Sequence, residues 1–361
     1  MNQMKSYGFL NKYYSFDIIK IVASIFIVFH HYQQLSNSYF SGINFYGGII
    51  PFNRLVELFF LISGALIYIS DNKKNGENKL KILFKRIVRF YPISIIAFLV
   101  IFVVAEIQFR IFRSFPTDID YHNLKCIFTS LTLTHRGWPI LACERAINNP
   151  TWYISVLICC YVVYYLMLKI SEILKIRIEL LAFLFVVLII LIDYYYCDYF
   201  YYIGVDSVRG FKCFFIGFIL AYISQYISSI KKLFIIDILL IILGGGIAYF
   251  VRQGRSIFVI YYCLSLMVFT LLVGERCIRF SISKKMDYTI SLLTSASYEV
   301  YILHVPLYAM LNLVYMCMGI ILDRSYISMI VFLIFVEIIS VYIYRYIDKP
   351  LNSILCKKFL K

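Results

Sequence analysis

The stretch FDIIKIVASIFIVFHH, Phe16 to His31, decides how this chain is read. Its middle is as apolar as a membrane helix, yet Asp17 and Lys20 stand near its start and His30 and His31 at its end. The rest of the chain supplies the context. Of 361 residues, 62% are hydrophobic and 15% charged, where an ordinary soluble domain is about a quarter charged. A helix needs about 20 residues to cross the hydrocarbon core. Ten runs approach that length, near 16–35, 54–70, 90–108, 151–168, 179–194, 209–228, 234–251, 257–274, 296–318 and 326–346. The composition therefore predicts an all-α, polytopic membrane protein of about ten transmembrane helices, one membrane domain over 1–361.

A net charge of +15 raises the question of nucleic acid. With the N-terminus cytoplasmic, the inner segments hold Lys5 and Lys12, seven basic residues from Lys73 to Arg89, and Lys169, Lys175 and Arg177. They also hold Lys231, Lys232, Arg276, Arg279, Lys284, Lys285, Arg345, Lys349, Lys357, Lys358 and Lys361, which completes most of the 35 Lys and Arg residues. That asymmetry predicts both termini cytoplasmic in a multi-pass protein of the cell membrane, and it accounts for the charge without nucleic acid. The first run follows Lys5 and Lys12 with no small-residue cleavage site behind it, so it is expected to stay as a span. The ten cysteines show no metal-ligand spacing, and no metal site is expected. Cys126 and Cys143 share the long outer loop, Phe109 to Pro150, and are positioned to pair if that loop faces an oxidising space.

Ionisable groups inside spans are costly and mark function by default. Lys20 and His31 are eleven residues apart, so they differ by about 20° around a helix and by about 16 Å along it. One stripe then runs from Lys20, in the inner half, to His31 at the outer end, with His30 turned away. Taken alone, a snorkelling lysine and a wet histidine at a span's end fit the same positions. In RLVELFFLISGAL, Arg54 to Leu66, Glu57 lies near His31 in depth, where a carboxylate orients or charges an imidazole. Ser63 lies deeper, and Gly64 reads as a helix-packing residue. In KRIVRFYP, Lys85 to Pro92, Arg86 and Arg89 share a helical face suited to phosphates, and equally serve as topogenic charge. Trp152 and Ser155, entering the next span beside Asn148 and Asn149, read as a sugar or acyl contact or as an interfacial anchor. In SASYEVYILHVPLYAML, Glu299 and His304 are five residues apart and lie on different faces.

In this order the motifs resemble the acyltransferase-3 family of integral membrane O-acyltransferases, in its stand-alone membrane-domain form. FDIIKIVASIFIVFHH resembles the family's basic residue followed eleven positions later by histidine. VELFFLISGALI, KRIVRFYP, TWYISVLICCYVVYYL and SASYEVYILHVPL resemble four further motifs in sequence. Two positions depart: the usual first-span arginine is Lys20, a point charge without a planar fork, and a glutamate after the tryptophan–serine pair is Leu157.

The resemblance implies an acyl-CoA-dependent O-acetyltransferase. Acetyl-CoA is then a co-substrate bound by Lys20, Arg86 and Arg89, with no permanently bound cofactor. His31 is the implied general base and Glu57 its orienting partner. Ser63, Trp152 and Ser155 line the acceptor or acyl channel. The implied acceptor is a cell-surface or capsular polysaccharide or its lipid-linked precursor. The competing reading is a glycan or lipid transporter without acyl-transfer chemistry, since charged residues in spans also suit translocation.

Overall fold

Apolar runs of this length have one way to satisfy their backbone in lipid, the helix, because every N–H finds its acceptor within the segment. The computed structural model describes residues 13–36, 42–48, 50–73, 78–117, 121–138, 146–195, 204–227, 229–250, 255–277, 282–320 and 325–359. In chain order the helices are α1 (Tyr14–Leu35), α2 (Leu55–Lys73), α3 (Lys79–Val88), α4 (Tyr91–Phe112) and α5 (Leu124–Leu131). Then come α6 (Trp152–Leu174), α7 (Ile178–Tyr195), α8 (Gly204–Ser224), α9 (Ile230–Phe250) and α10 (Arg255–Cys277). The last are α11 (Lys284–Cys317), α12 (Tyr326–Ile343) and α13 (Lys349–Phe359), the final two joined by a π-helical turn, Tyr344–Asp348. No strand occurs among the described residues.

Among the described residues nine helices are long and apolar enough to cross a membrane. The tenth expected run, near 234–251, falls on α9, whose side chains are described only to residue 242. The apolar surface is where lipid requires it: on α7, Leu180, Phe183, Leu184, Leu188 and Leu191 are all exposed.

Both described chain ends lie at one face of the bundle. The Tyr14 hydroxyl at the start of α1 donates to Asp287 at the start of α11 at 2.8 Å. The Ser15 N–H donates to Glu275 at the end of α10. At the same face α13 packs on α3, and the Asn352 amide donates to the Arg89 carbonyl at 3.4 Å. This is the arrangement that the charge asymmetry expects for a cytoplasmic side.

Two departures from the expected boundaries matter for the site. The run expected near 296–318 is the end of a 34-residue helix, α11, capped by Ser283, whose side chain accepts from the Met286 N–H. At about 1.5 Å per residue it is about 51 Å long, so it protrudes well beyond an about 30 Å core. The basic stretch before α4 is a separate amphipathic helix, α3, started by Asn78, whose side chain accepts from Leu80 and Lys81 N–H groups. It packs on α6 and meets the end of α2 through Lys79–Asp71 at 3.6 Å and Arg86–Ser70, which carries Arg86 inward, and the Arg89–Phe90 turn before Pro92 ends it.

The tightest seam joins α2 to α8. A Cβ on Gly64 would stand 1.8 Å from the Phe214 carbonyl oxygen, and one on Gly217 would stand 1.9 Å from that of Leu61. The two backbones therefore touch, as small residues allow where no hydrophobic drive pulls helices together in lipid. Gly64 is the packing residue that the sequence suggests.

Candidate active site

Three cations from separate segments converge on one cavity of about 590 Å³. Lys20 comes from α1, Arg86 from α3 and Arg89 from the turn behind it. Ser63, Leu66, Ile67 and Ser70 of α2, Tyr153, Leu157 and Tyr161 of α6, and Thr294 to Tyr301 of α11 supply most of the remaining wall. No carboxylate lines it among the described residues. Lys20 and Arg89 reach it with side chains in no hydrogen bond or ion pair among the described residues, whereas Arg86 donates to Ser70 and lies 5.7 Å from the Tyr161 ring centre. From Ser70 to Phe59 the cavity follows α2 for about 16 Å, three turns of helix. Asp17 near Lys20, and Glu299 and Asp348 near Arg89, stand behind the wall rather than in it. The half-enclosed space itself therefore presents cations and suits an anion, and an apolar wall past it suits a thin uncharged chain.

The far end of the cavity is an aromatic wall. Tyr153 and Tyr301 sit with ring centres 5.6 Å apart, and Phe59 packs on both at about 6 Å. Ser63 meets the Tyr153 hydroxyl at 3.3 Å. One turn beyond Tyr301 on α11 is His304, and its ring lies 5.0 Å from that of His31. The expected stripe on α1 is thus turned toward α11: Lys20 reaches the cavity beside Thr294–Tyr298, and His31 meets His304. The His31 Nδ1–H donates to the Gln34 amide oxygen at 2.8 Å, which leaves Nε2 with a free lone pair. His30 points elsewhere and donates to the Phe45 carbonyl at 2.8 Å, fastening the following loop.

Glu57 and His31 are not brought together by any hydrogen bond or ion pair in the described residues. The fully buried Glu57 carboxylate instead takes Arg54 at 3.1 Å and Arg209 at 3.0 Å, with the Tyr261 hydroxyl at 3.2 Å. Arg209 also binds Asp206 at 3.0 Å and covers the Trp152 ring at 4.8 Å. Glu57 therefore organises the outer mouth around Trp152. Ser155 lies away from the cavity and clamps the outer loop: its hydroxyl donates to the Arg136 carbonyl at 2.5 Å and accepts the Arg136 N–H at 3.1 Å. Glu299 and His304 are separated as their spacing expects, Glu299 facing Arg89 and Asp348 while His304 faces His31.

The outer loop is built into the site. Cys126 is disulfide-bonded; Cys143, with which it was expected to pair, lies outside the described residues. A bridge at Cys126 agrees with an oxidising outer side. Pro306 has no N–H, so it leaves the Ile302 carbonyl of α11 without its helical donor. Asn148 from the loop donates to that carbonyl at 2.9 Å. His135 is buried in the same loop between the Thr129 carbonyl and the Thr151 hydroxyl, and burial pushes its imidazole down to about 4.

Two of these residues escape reasoning from sequence. Arg209 was signalled only by a buried carboxylate that needs a cation. Among the described residues His304 meets no carboxylate along its own helix, and its ring partner His31 comes from α1. Among the described residues no cluster of His, Cys, Asp and Glu suits a metal.

No curated protein and no solved structure matches the chain. The family model Acyl_transf_3, described as an acyltransferase domain, matches residues 13–346. That match runs over nearly every helix described above, including the three cations and both histidines, so the chain belongs to the acyltransferase domain family and is a multi-pass membrane acyltransferase.

Proposed function

We propose that the protein is an O-acetyltransferase of the cell membrane. It transfers acetyl from acetyl-CoA to a hydroxyl of a cell-surface or capsular polysaccharide or its lipid-linked precursor. The observation that carries this reading is the cavity in which Lys20, Arg86 and Arg89 meet with no carboxylate in its described wall. Phosphates of the donor bind these cations at the cytoplasmic end. The uncharged arm runs along Leu66, Ser63 and Leu157 toward the aromatic wall. There the thioester comes within one helical turn of His304 and His31. The acceptor hydroxyl enters from the outer side past Trp152, held under Arg209 by Glu57. His31, with Nδ1–H fixed on Gln34, takes the hydroxyl proton on Nε2 as the oxygen attacks the thioester carbon.

The test uses membranes with and without the protein, supplied with acetyl-labelled acetyl-CoA. Label should appear in envelope glycan as one acetyl mass increment, and His31→Ala should abolish it. Arg86→Ala with Arg89→Ala should raise the acetyl-CoA concentration needed for half-maximal rate at least about tenfold, since each charged hydrogen bond is worth about 1.5–3 kcal/mol. Wild-type labelling by His31→Ala refutes the mechanism. Movement of glycan that needs no acyl donor identifies a transporter instead.

A further inference from the structure

His304 is 1% exposed and holds an unusual state for a buried ring. Its Nδ1 lies 3.2 Å from the Val300 carbonyl, which only accepts, so Nδ1 carries the proton. Nε2 therefore presents a lone pair, and that atom is buried with no hydrogen-bond partner. A buried acceptor left empty is destabilising, and a leucine or phenylalanine would fill the space without that cost. The neighbour is His31, in the same tautomer, with its ring centre 5.0 Å away and the planes inclined by 33°. Two imidazoles whose protonated nitrogens are both tied elsewhere place two basic nitrogens in one site.

The order of groups is also informative. His31 is half-buried toward the outer side, His304 is buried behind it, and Tyr301 of the same helix lines the donor cavity. The titratable groups facing the pair are His30 on α1, Tyr301 on α11 and, behind it, Tyr153 on α6, while Glu57 on α2 is engaged by Arg54 and Arg209.

We propose that His304 is the second proton-carrying imidazole of this site, receiving the proton that His31 withdraws from the acceptor hydroxyl and passing it toward the donor cavity. The step rests on the acyl-transfer reading and balances as follows. The hydroxyl oxygen forms a bond to the thioester carbon, and the carbon–sulfur bond breaks with its electron pair on sulfur. The hydroxyl proton moves to His31 Nε2, is shared with His304 Nε2, and ends on sulfur as the thiol. His304 acts through His31, so its absence should be felt in proton transfer rather than in donor binding.

The experiment uses the full chain in lipid nanodiscs, as wild type, His304→Gln and His304→Phe. Three quantities are measured: binding of a thioether analogue of acetyl-CoA, release of CoA thiol from acetyl-CoA in membranes carrying the glycan, and the pH profile of His31 carbethoxylation. The last, read by peptide mass spectrometry with diethyl pyrocarbonate, needs no substrate and gives the protonation midpoint of His31. Glutamine keeps an acceptor oxygen for the His31 N–H but cannot take its proton. His304→Gln should leave the midpoint and analogue binding near wild type, yet slow thiol release by about 100-fold, the usual scale of a lost acid–base group. His304→Phe should lose the rate and also lower the His31 midpoint. Thiol release near the wild-type rate in His304→Gln overturns the proposal, as does an unmoved His31 midpoint in His304→Phe. If the wild type releases no thiol, the acetyl-CoA reading fails, and the carbethoxylation profiles alone decide whether the two rings share a proton.

Discussion

The seam between α2 and α8 is the place to test whether the geometry of this bundle controls the cavity. Gly64→Ala puts a methyl 1.8 Å from the Phe214 carbonyl oxygen, 2.7 Å from its carbon and 3.1 Å from the Phe218 nitrogen. Non-bonded heavy atoms rest at about 3.5 Å, so the helices must part by about 1.5 Å. The obstacle is backbone, which no rotamer can remove. Overpacking of this kind costs about 1–3 kcal/mol, and a rigid obstacle belongs at the upper end. At about 2 °C per kcal/mol for a large domain, the thermal midpoint in detergent should fall by about 4–6 °C. The same parting loosens Ser63 and Phe59 on the cavity wall and stretches the Glu57–Arg209 pair that ties α2 to α8. Acyl transfer should therefore fall more than stability alone requires. The control is Gly274→Ala on α10, where no atom lies within 4 Å. That change should be neutral or stabilising by about 0.5–1 kcal/mol through helix propensity. Equal midpoints for the two variants would refute the close-contact account.

Two further outcomes follow from the outer loop. Asn148→Leu leaves the Ile302 carbonyl without a donor, at a cost of about 1–3 kcal/mol; hydrogen exchange across residues 300–308 should quicken, and unchanged exchange would remove Asn148 from that role. The His135 imidazole is neutral when folded, because burial holds it at about 4 against an ordinary 6.5. Below pH 6.5 the unfolded loop therefore binds a proton that the folded loop refuses. Stability is full above 6.5 and is lost progressively down to about 4, by at most about 3 kcal/mol. Limited proteolysis of the loop should accelerate over that window in the wild type and not in His135→Gln; a flat wild-type profile would show that the loop does not open there.

Much of this was legible in sequence because it depends on local spacing or on chemistry that has one use. Eleven residues are three helical turns, so Lys20 and His31 had to share a stripe, and α11 is what that stripe meets. Gly64, in the small-residue run Ser63 to Ala65, reads as a close helix contact, and a backbone is what it meets. Arg86 and Arg89 share a helical face by their spacing, and the fold brings both to one cavity with Lys20. Other features depend on which helix lies next to which, and a single sequence does not encode that in any local pattern. His304 pairs with a histidine near the other end of the chain. Glu57 binds Arg209 from α8 rather than the histidine that it matches in depth. Ser155 serves the loop backbone, a partner with no side-chain signature at all.

The line from half-buried His31 through His304 to Tyr301 has an electrical consequence. In the proposed reaction an acyl group passes outward from a donor held on the cytoplasmic side. If the acceptor's proton were released outside and the thiolate were neutralised from inside, each turnover would move one positive charge outward. Against an inside-negative potential that costs about 2.3 kcal/mol per 100 mV for a full crossing. A proton returned along the two imidazoles cancels the charge carried by the acyl group, and the turnover becomes electrically silent. The rate of the wild type should then be indifferent to an imposed membrane potential, and a variant that lacks the second ring should become sensitive to it.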